Sequence, residues 1–168
     1  MGSAKRKGVA APAGGRPARA SVRILRDAEL PTPDDVMARI RLVRAGVPSR
    51  RVQELADALG WSKEQLYSSL GIARATVDRR IREDSPLSPD ESERVLGLWQ
   101  LVQDVERMYE ESGDPDVVDF DPARWLGEWL ADPNPALGGE RPAALLDTAD
   151  GRTLVGRLLG AMQAGTYW

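Results

Sequence analysis

Residues 62–84 read SKEQLYSSLGIARATVDRRIRED, and this stretch decides the fold. Ser62 is suited to cap a helix running through Leu70, because its hydroxyl can accept from an orphan N–H of the first turn. Gly71 then permits the left-handed residue that ends it. A second helix spans Ala73 to Arg82 with Val77 as its interior apolar residue. Helix, glycine-bearing turn and helix together make a helix-turn-helix pattern. Its cations suit a polyanion. Arg74, Arg79, Arg80 and Arg82 lie on or beside the second helix, Thr76 lies near its N-terminal end, and Lys63 opens the first helix. Arginine can clamp phosphate or pair with guanine, and threonine can meet a phosphate or a thymine methyl. A plain helical hairpin with a solvated arginine face fits the same letters. Many such motifs carry a small residue, usually alanine, where the helices cross; here the position is Tyr67, which points to splayed helices or a shifted register.

Working outward, residues 34–45 carry a helical pattern with Val36, Ile40 and Val43 on one face, closed by Gly46 and Pro48. Residues 49–60 repeat the period with Val52, Leu55, Ala56 and Leu59, and Gly60 stands as a C-terminal stop. Beyond the motif, Ser88 and Glu91 make a capping box with Pro89 at the first helical position. Val95, Leu98, Trp99, Val102, Val105 and Tyr109 follow at helical spacing. The acidic stretch SGDPDVVDFD (112–121) breaks that helix. Asp121 and Pro122 restart one with Trp125, Leu126, Trp129 and Leu130 on a shared face. Pro142 opens a short helix through Asp147. A final helix carries Leu154, Val155, Leu158, Leu159 and Met162, with Gly165 as its stop. No strand period of useful length appears. The fold expected is all-α: an N-terminal helix-turn-helix domain at 34–86, after a disordered basic arm at 1–33, and a small helical domain at 87–168.

The chain has 168 residues, no cysteine and no histidine. That excludes thiolate and imidazole zinc sites, cysteine nucleophiles, disulfides and any Ser-His-Asp arrangement. Residues 1–86 hold 17 Lys/Arg against 10 Asp/Glu, whereas 87–168 hold 6 against 16. A basic front and an acidic back suggest two partners, a polyanion and something basic, although two merely solvated surfaces would count the same. No apolar run is long enough to span a bilayer, and the opening residues have no apolar signal region. A cytoplasmic location without a membrane partner is expected.

The tail then carries a resemblance. LSPDESERVLGL (87–98), WL (129–130) and PNPALGGERPAALLDTADGRTLVGRLLGAMQAGTYW (133–168) resemble the Xre/MbcA/ParS antitoxins, in particular the Xre partners of RES-domain toxins. The likeness covers about residues 62–168. It implies a type II toxin–antitoxin pair whose toxin is an NAD-consuming relative of ADP-ribosyltransferases. The antitoxin would dimerise, form a higher-order complex with the toxin and bind the operator DNA of its own operon. By position, the Pro133–Gly139 turn, with Asn134, Leu137 and Gly138, and the stretch Leu145–Thr148 match the toxin-binding signature. Met162, Gly165, Thr166, Tyr167 and Trp168 fall on the closing element, and Tyr167 matches the terminal aromatic that enters the toxin's cleft. Two departures stand out: the 113–121 stretch is longer and more acidic than usual, and Trp168 extends past the usual terminal tyrosine.

Turn chemistry alone also accounts for PNPALGG, where two prolines fix φ, Asn134 can bond its own backbone and two glycines allow close approach. Tyr167 and Trp168, set beyond a helix stop, read as a docking peptide with few rotamers to freeze, and back-folding onto the core is the plainer reading. The long helix from Ser88 is expected to contribute a dimer interface, because Leu96 and Leu101 widen its apolar face. A stand-alone repressor with a ligand-binding or dimerising C-terminal domain is the alternative function. An enzyme is disfavoured: no Gly-rich phosphate loop, metal-ligand cluster or histidine base is present, and acidic pairs such as Asp116 and Asp119 read as a solvated loop, so no catalytic residue, metal or cofactor is assigned.

Overall fold

The computed structural model describes residues 30–31, 35–112 and 120–165. The expected basic arm up to Glu29, the acidic stretch at 113–119 and the tail residues Thr166, Tyr167 and Trp168 lie outside the described residues. Leu30, within the stretch read as an arm, packs half-buried against the core. Among the described residues the fold is all-α, with a lone antiparallel bridge between Pro48 and Pro86.

Helix α1 (Val36–Ala45) starts where the Asp35 carboxylate accepts from the Ala38 N–H at 2.8 Å, and stops at Gly46, whose φ of 89° suits glycine. Of its expected face, Val43 packs against the core and the other two residues do not. Val36 and Ile40 are 58% and 36% exposed, and Met37 beside them is 60% exposed. Leu42 packs inward beside Val43, and Arg39 reaches the Gln100 side chain. Helix α2 (Arg50–Leu59) buries the stripe its spacing predicts, Val52, Leu55, Ala56 and Leu59. Helices α3 (Lys63–Leu70) and α4 (Arg74–Arg82) follow, separated by Gly71 in the left-handed region.

Helix α5 (Pro89–Ser112) is the axis of the molecule. Its capping box forms as read: the Ser88 N–H donates to the Glu91 carboxylate at 2.7 Å, and the Glu91 N–H donates to the Ser88 hydroxyl at 3.2 Å. Around it pack α1, α6 (Pro122–Ala131) and α7 (Ala149–Gln163). Leu96 and Leu101 are therefore buried in the chain's own core. The wide apolar face of α5 is filled within one chain, and the breadth that motivated a dimer interface there is already accounted for. Asp121 caps α6 by accepting from the Arg124 N–H at 3.0 Å. Pro142–Leu145 forms one turn of 3-10 helix, shorter than the helix expected through Asp147, and Pro135–Leu137 forms another. Helix α7 is capped by Thr148, which accepts from the Gly151 N–H at 3.0 Å. Val155 and Leu159 anchor it, while Leu154, expected inside, is 41% exposed.

One apolar cluster runs from Val47 to Leu159 through α2, α3, α5, α6 and α7. The joint between front and back is α2 against α6. Gly127 lies so close to the Leu59 carbonyl that no Cβ fits between them, and the buried Trp61 indole N–H donates to the Gly127 carbonyl at 2.9 Å. The stretches 34–86 and 87–168 thus share a core rather than meeting as separate beads.

Candidate functional site

In the helix-turn-helix, the Ser62 hydroxyl accepts from the Gln65 N–H at 3.1 Å, and Gly71 turns the chain with φ of 61°. The last carbonyls of α3 are orphan acceptors. Arg94 of α5 satisfies two nearby ones, donating from Nη1 to the Leu70 and Gly71 carbonyls at 3.0 and 2.9 Å. With Val77 buried, the helical period turns Ala75, Asp78, Arg79 and Arg82 outward, with Arg74 at one margin and half-buried Thr76 at the other. Lys63, Glu64, Arg74, Ala75, Asp78, Ile81 and Arg82 line an open groove of about 730 Å³ between the two helices.

The arginines differ in what they are free to do. Arg74 and Arg79 are exposed and make surface pairs, Arg74 with Asp78 at 3.3 Å and Glu64 at 3.1 Å, Arg79 with Glu83 at 3.5 Å. A single exposed pair such as Arg79–Glu83 contributes about 0–1 kcal/mol, so a phosphate can displace it, whereas Arg74 is held from two sides. Arg82 is exposed and donates to the Asp78 carbonyl at 3.4 Å. Arg80 is turned the other way. Its side chain is 25% exposed, its Nη1 donates to the Pro86 carbonyl at 3.0 Å, and its Nε lies 3.1 Å from the Glu91 carboxylate without hydrogen-bond alignment. Arg80 ties α4 to the first turn of α5, away from the outward face that carries Arg79 and Arg82.

Tyr67 sits buried between α3 and α4, which meet through this ring more than through backbone approach. Its hydroxyl donates to the Asp78 carboxylate at 3.0 Å. Burial, the hydrogen bond to Asp78 and that carboxylate's charge push the Tyr67 hydroxyl up to about 12. The same bond holds the Asp78 carboxyl below the usual carboxylate range, with Arg74 adding to the effect. Above pH ~10 an unfolded chain releases the tyrosine proton that the folded chain retains, so stability falls as pH rises from about 10 to 12. The loss across that window is expected to reach about 2 kcal/mol. Urea unfolding of Tyr67→Phe at pH 8 to 11.5, followed by tryptophan fluorescence, should show a flatter alkaline limb than the parent chain.

At the other end, Asn134 is buried within its own turn, its side chain accepting from the Ala136 N–H at 2.9 Å and its carbonyl from the Gly139 N–H at 2.9 Å. Gly138 and Gly139 take φ of 66° and 90° and face open space. Leu137 and Met162 are half-buried, and Gly165 is exposed with φ of 66°, as a helix stop requires. So Gly138 and Gly165 reach the surface, whereas Asn134 shapes the turn from inside. The Pro142–Thr148 segment closes on the first turn of α7, where the Leu145 carbonyl leaves no room for a Cβ at Gly151.

Charged residues of α5 and α7 hold these two ends together. Glu91, already assigned to the capping box, also pairs with Arg80, and Arg94, which has no local sequence signal, serves the end of α3. Arg152 of α7 is 6% exposed, donating to the Leu146 carbonyl at 2.8 Å and to Glu93 at 2.6 Å, with Gly97 making room for it. Glycines inside helices at 97, 127 and 151 were the available signal, since such glycines often mark close approach. Among the described residues, no acidic cluster is placed to hold a metal ion, and no helix is long and apolar enough to cross a membrane.

Residues 38–98 match the antitoxin Xre-like helix-turn-helix domain, and residues 117–165 match the antitoxin Xre/MbcA/ParS C-terminal toxin-binding domain. The chain is 40% identical over 129 residues to the Prs ADP-ribosylating antitoxin of Sphingobium sp. (strain YBL2), covering 77% of this chain and 80% of that one. The chain belongs to the Xre/MbcA/ParS antitoxins. The antitoxin's α1–α4 and the start of α5 are its helix-turn-helix domain, and α6, the two 3-10 turns and α7 fall within its toxin-binding domain. Glu91, Glu93 and Arg94 lie within about one turn of α5: Glu91 and Arg94 tie α5 to the other helices of the helix-turn-helix domain, and Glu93 pairs with Arg152 of the toxin-binding domain.

Proposed function

We propose that this antitoxin neutralises a RES-domain toxin that consumes NAD, covering the toxin's cleft with the residues that follow α7, and that it represses its own operon by binding operator DNA as a dimer in the cytoplasm. The observation that carries this reading is the pairing, in one chain, of a toxin-binding domain with a helix-turn-helix. The relative's name adds ADP-ribosyl chemistry, for which NAD is the usual donor. We assign that chemistry to the partner, because the C-terminal part of this chain matches a toxin-binding domain. The dimer and its higher-order complex with toxin rest on the family resemblance. Co-expression with the product of the neighbouring gene, then purification, mass measurement and an NAD-consumption assay, tests the whole reading. A partner that fails to co-purify, or that leaves NAD intact when freed of the antitoxin, overturns the toxin half.

The DNA half has its own test. Arg79 and Arg82 are the exposed cations of the outward face of α4. Replacing both with alanine should weaken operator binding and lower the slope of log affinity against log salt by about 1–2, since each phosphate contact releases roughly one counterion. Toxin neutralisation should be unchanged. An unaltered slope removes both from the phosphate contacts.

A further inference from the structure

Tyr67 stands where a small residue would let two helices cross closely, and the structure gives it a task. Its buried hydroxyl donates to Asp78 Oδ1 at 3.0 Å, while Asp78 Oδ2 accepts from Arg74 Nε at 3.3 Å. Glu64 holds Arg74 Nη1 from the other side at 3.1 Å. Neither of these contacts engages Arg74 Nη2. Arg74 is also the first residue of α4, and residues at the N-terminal end of a recognition helix are those that reach base edges.

Three physical points bear on what this arrangement does. An unrestrained arginine must freeze several torsions on binding, whereas one already held on two sides has lost that freedom beforehand. Two carboxylates beside a guanidinium repel a phosphate, so this arginine is poorly suited to clamp the DNA backbone. They repel the partial charges of guanine O6 and N7, which take two parallel N–H donors, far less than the full charge of a phosphate. The carboxylate that does the holding is itself fixed from the protein interior, through a tyrosine whose ring is packed and whose hydroxyl has one partner.

We infer that Tyr67 and Asp78 are positioning residues for Arg74, forming a relay from the core of the helix-turn-helix to its groove that fixes Arg74 to read one guanine edge in each bound half-site. The relay rests on the proposed DNA binding. Its effect is on discrimination between bases, not on overall attraction to DNA.

The test uses the full-length chain and a duplex library with a randomised core, selected in parallel with the parent protein, Tyr67→Phe, Asp78→Asn and Arg74→Ala. Phenylalanine keeps the packed ring, and thermal melting checks that each variant folds. The parent is expected to enrich a G·C pair at one position per half-site. Arg74→Ala should lose that preference, and Tyr67→Phe and Asp78→Asn should each reduce it about tenfold while leaving the other positions and the salt slope unchanged. Adding Tyr67→Phe to Arg74→Ala should change nothing more, as expected for residues acting through one another. If Tyr67→Phe selects the parent's sequence with equal stringency, or weakens binding equally to all duplexes, the relay is overturned and Tyr67 is packing alone. If the parent enriches no sequence, the operator-binding reading fails, and the relay with it.

Discussion

Replacing Gly127 with alanine is expected to destabilise the fold by about 3 kcal/mol, a large effect for a single methyl group. An alanine in a helix ordinarily gains up to about 1 kcal/mol over glycine. Here the added Cβ would fall on the Leu59 carbonyl oxygen, which is backbone and held by α2. Overpacking of this kind costs about 1–3 kcal/mol, occasionally more. Moving α6 away also pulls the Gly127 carbonyl from the Trp61 indole N–H. A buried donor left without its partner costs a further ~1–3 kcal/mol. The unfavourable terms outweigh the helical gain, and the melting temperature should fall by about 10 °C for a chain of this size. Thermal melting by circular dichroism measures it. A variant that melts within 2 °C of the parent would mean that α2 and α6 do not approach as described.

Deleting Thr166, Tyr167 and Trp168 is expected to have the largest functional effect: neutralisation lost, folding retained. The described core closes without them, because α7 is anchored by Val155 and Leu159. Aromatic residues that fill a partner's pocket are the usual hot spots of an interface, each contributing about 2 kcal/mol or more. Losing two of them corresponds to a roughly 1,000-fold weaker complex. Melting temperature and mass in solution should be unchanged, while the truncated chain should fail to block NAD consumption by the co-purified toxin at concentrations where the full chain blocks it completely. Equal inhibition by both would overturn the plug and leave the exposed surface around Leu154, Gly138 and Gly165 to do the covering.

Local signals were legible in the letters, and long-range ones were not. Ser62, Ser88 with Glu91, Asp121 and Thr148 act within three residues of themselves, and the first three of these caps were read from sequence before the structure confirmed them. The left-handed glycines at 60, 71 and 165 were equally local. Periodicity marks a face as apolar without saying what covers it. That is why Leu96 and Leu101 read as an interface and proved to be core, and why Val36, Ile40 and Leu154 read as core and proved exposed. The arginines show the same limit. Arg79 and Arg80 are neighbours in sequence and one helical step apart in direction, and the positions of the Pro86 carbonyl and Glu91 decide that Arg80 is held inward. Tyr67 looked like a misfit because its partner Asp78 is eleven residues away, on the other helix.

The seam between α2 and α6 has a consequence for the lifetime of the protein in a cell. A protease acts on the opened chain, and a core that opens as one cooperative unit offers no partly dismantled form with one function intact. Trp61 cannot leave Gly127 without unseating α2, on which α3 packs, and α6, which packs on α5. Turnover should therefore remove the DNA-binding and toxin-binding surfaces with a single rate constant. On the proposed function, de-repression of the operon and release of the toxin run on the same clock.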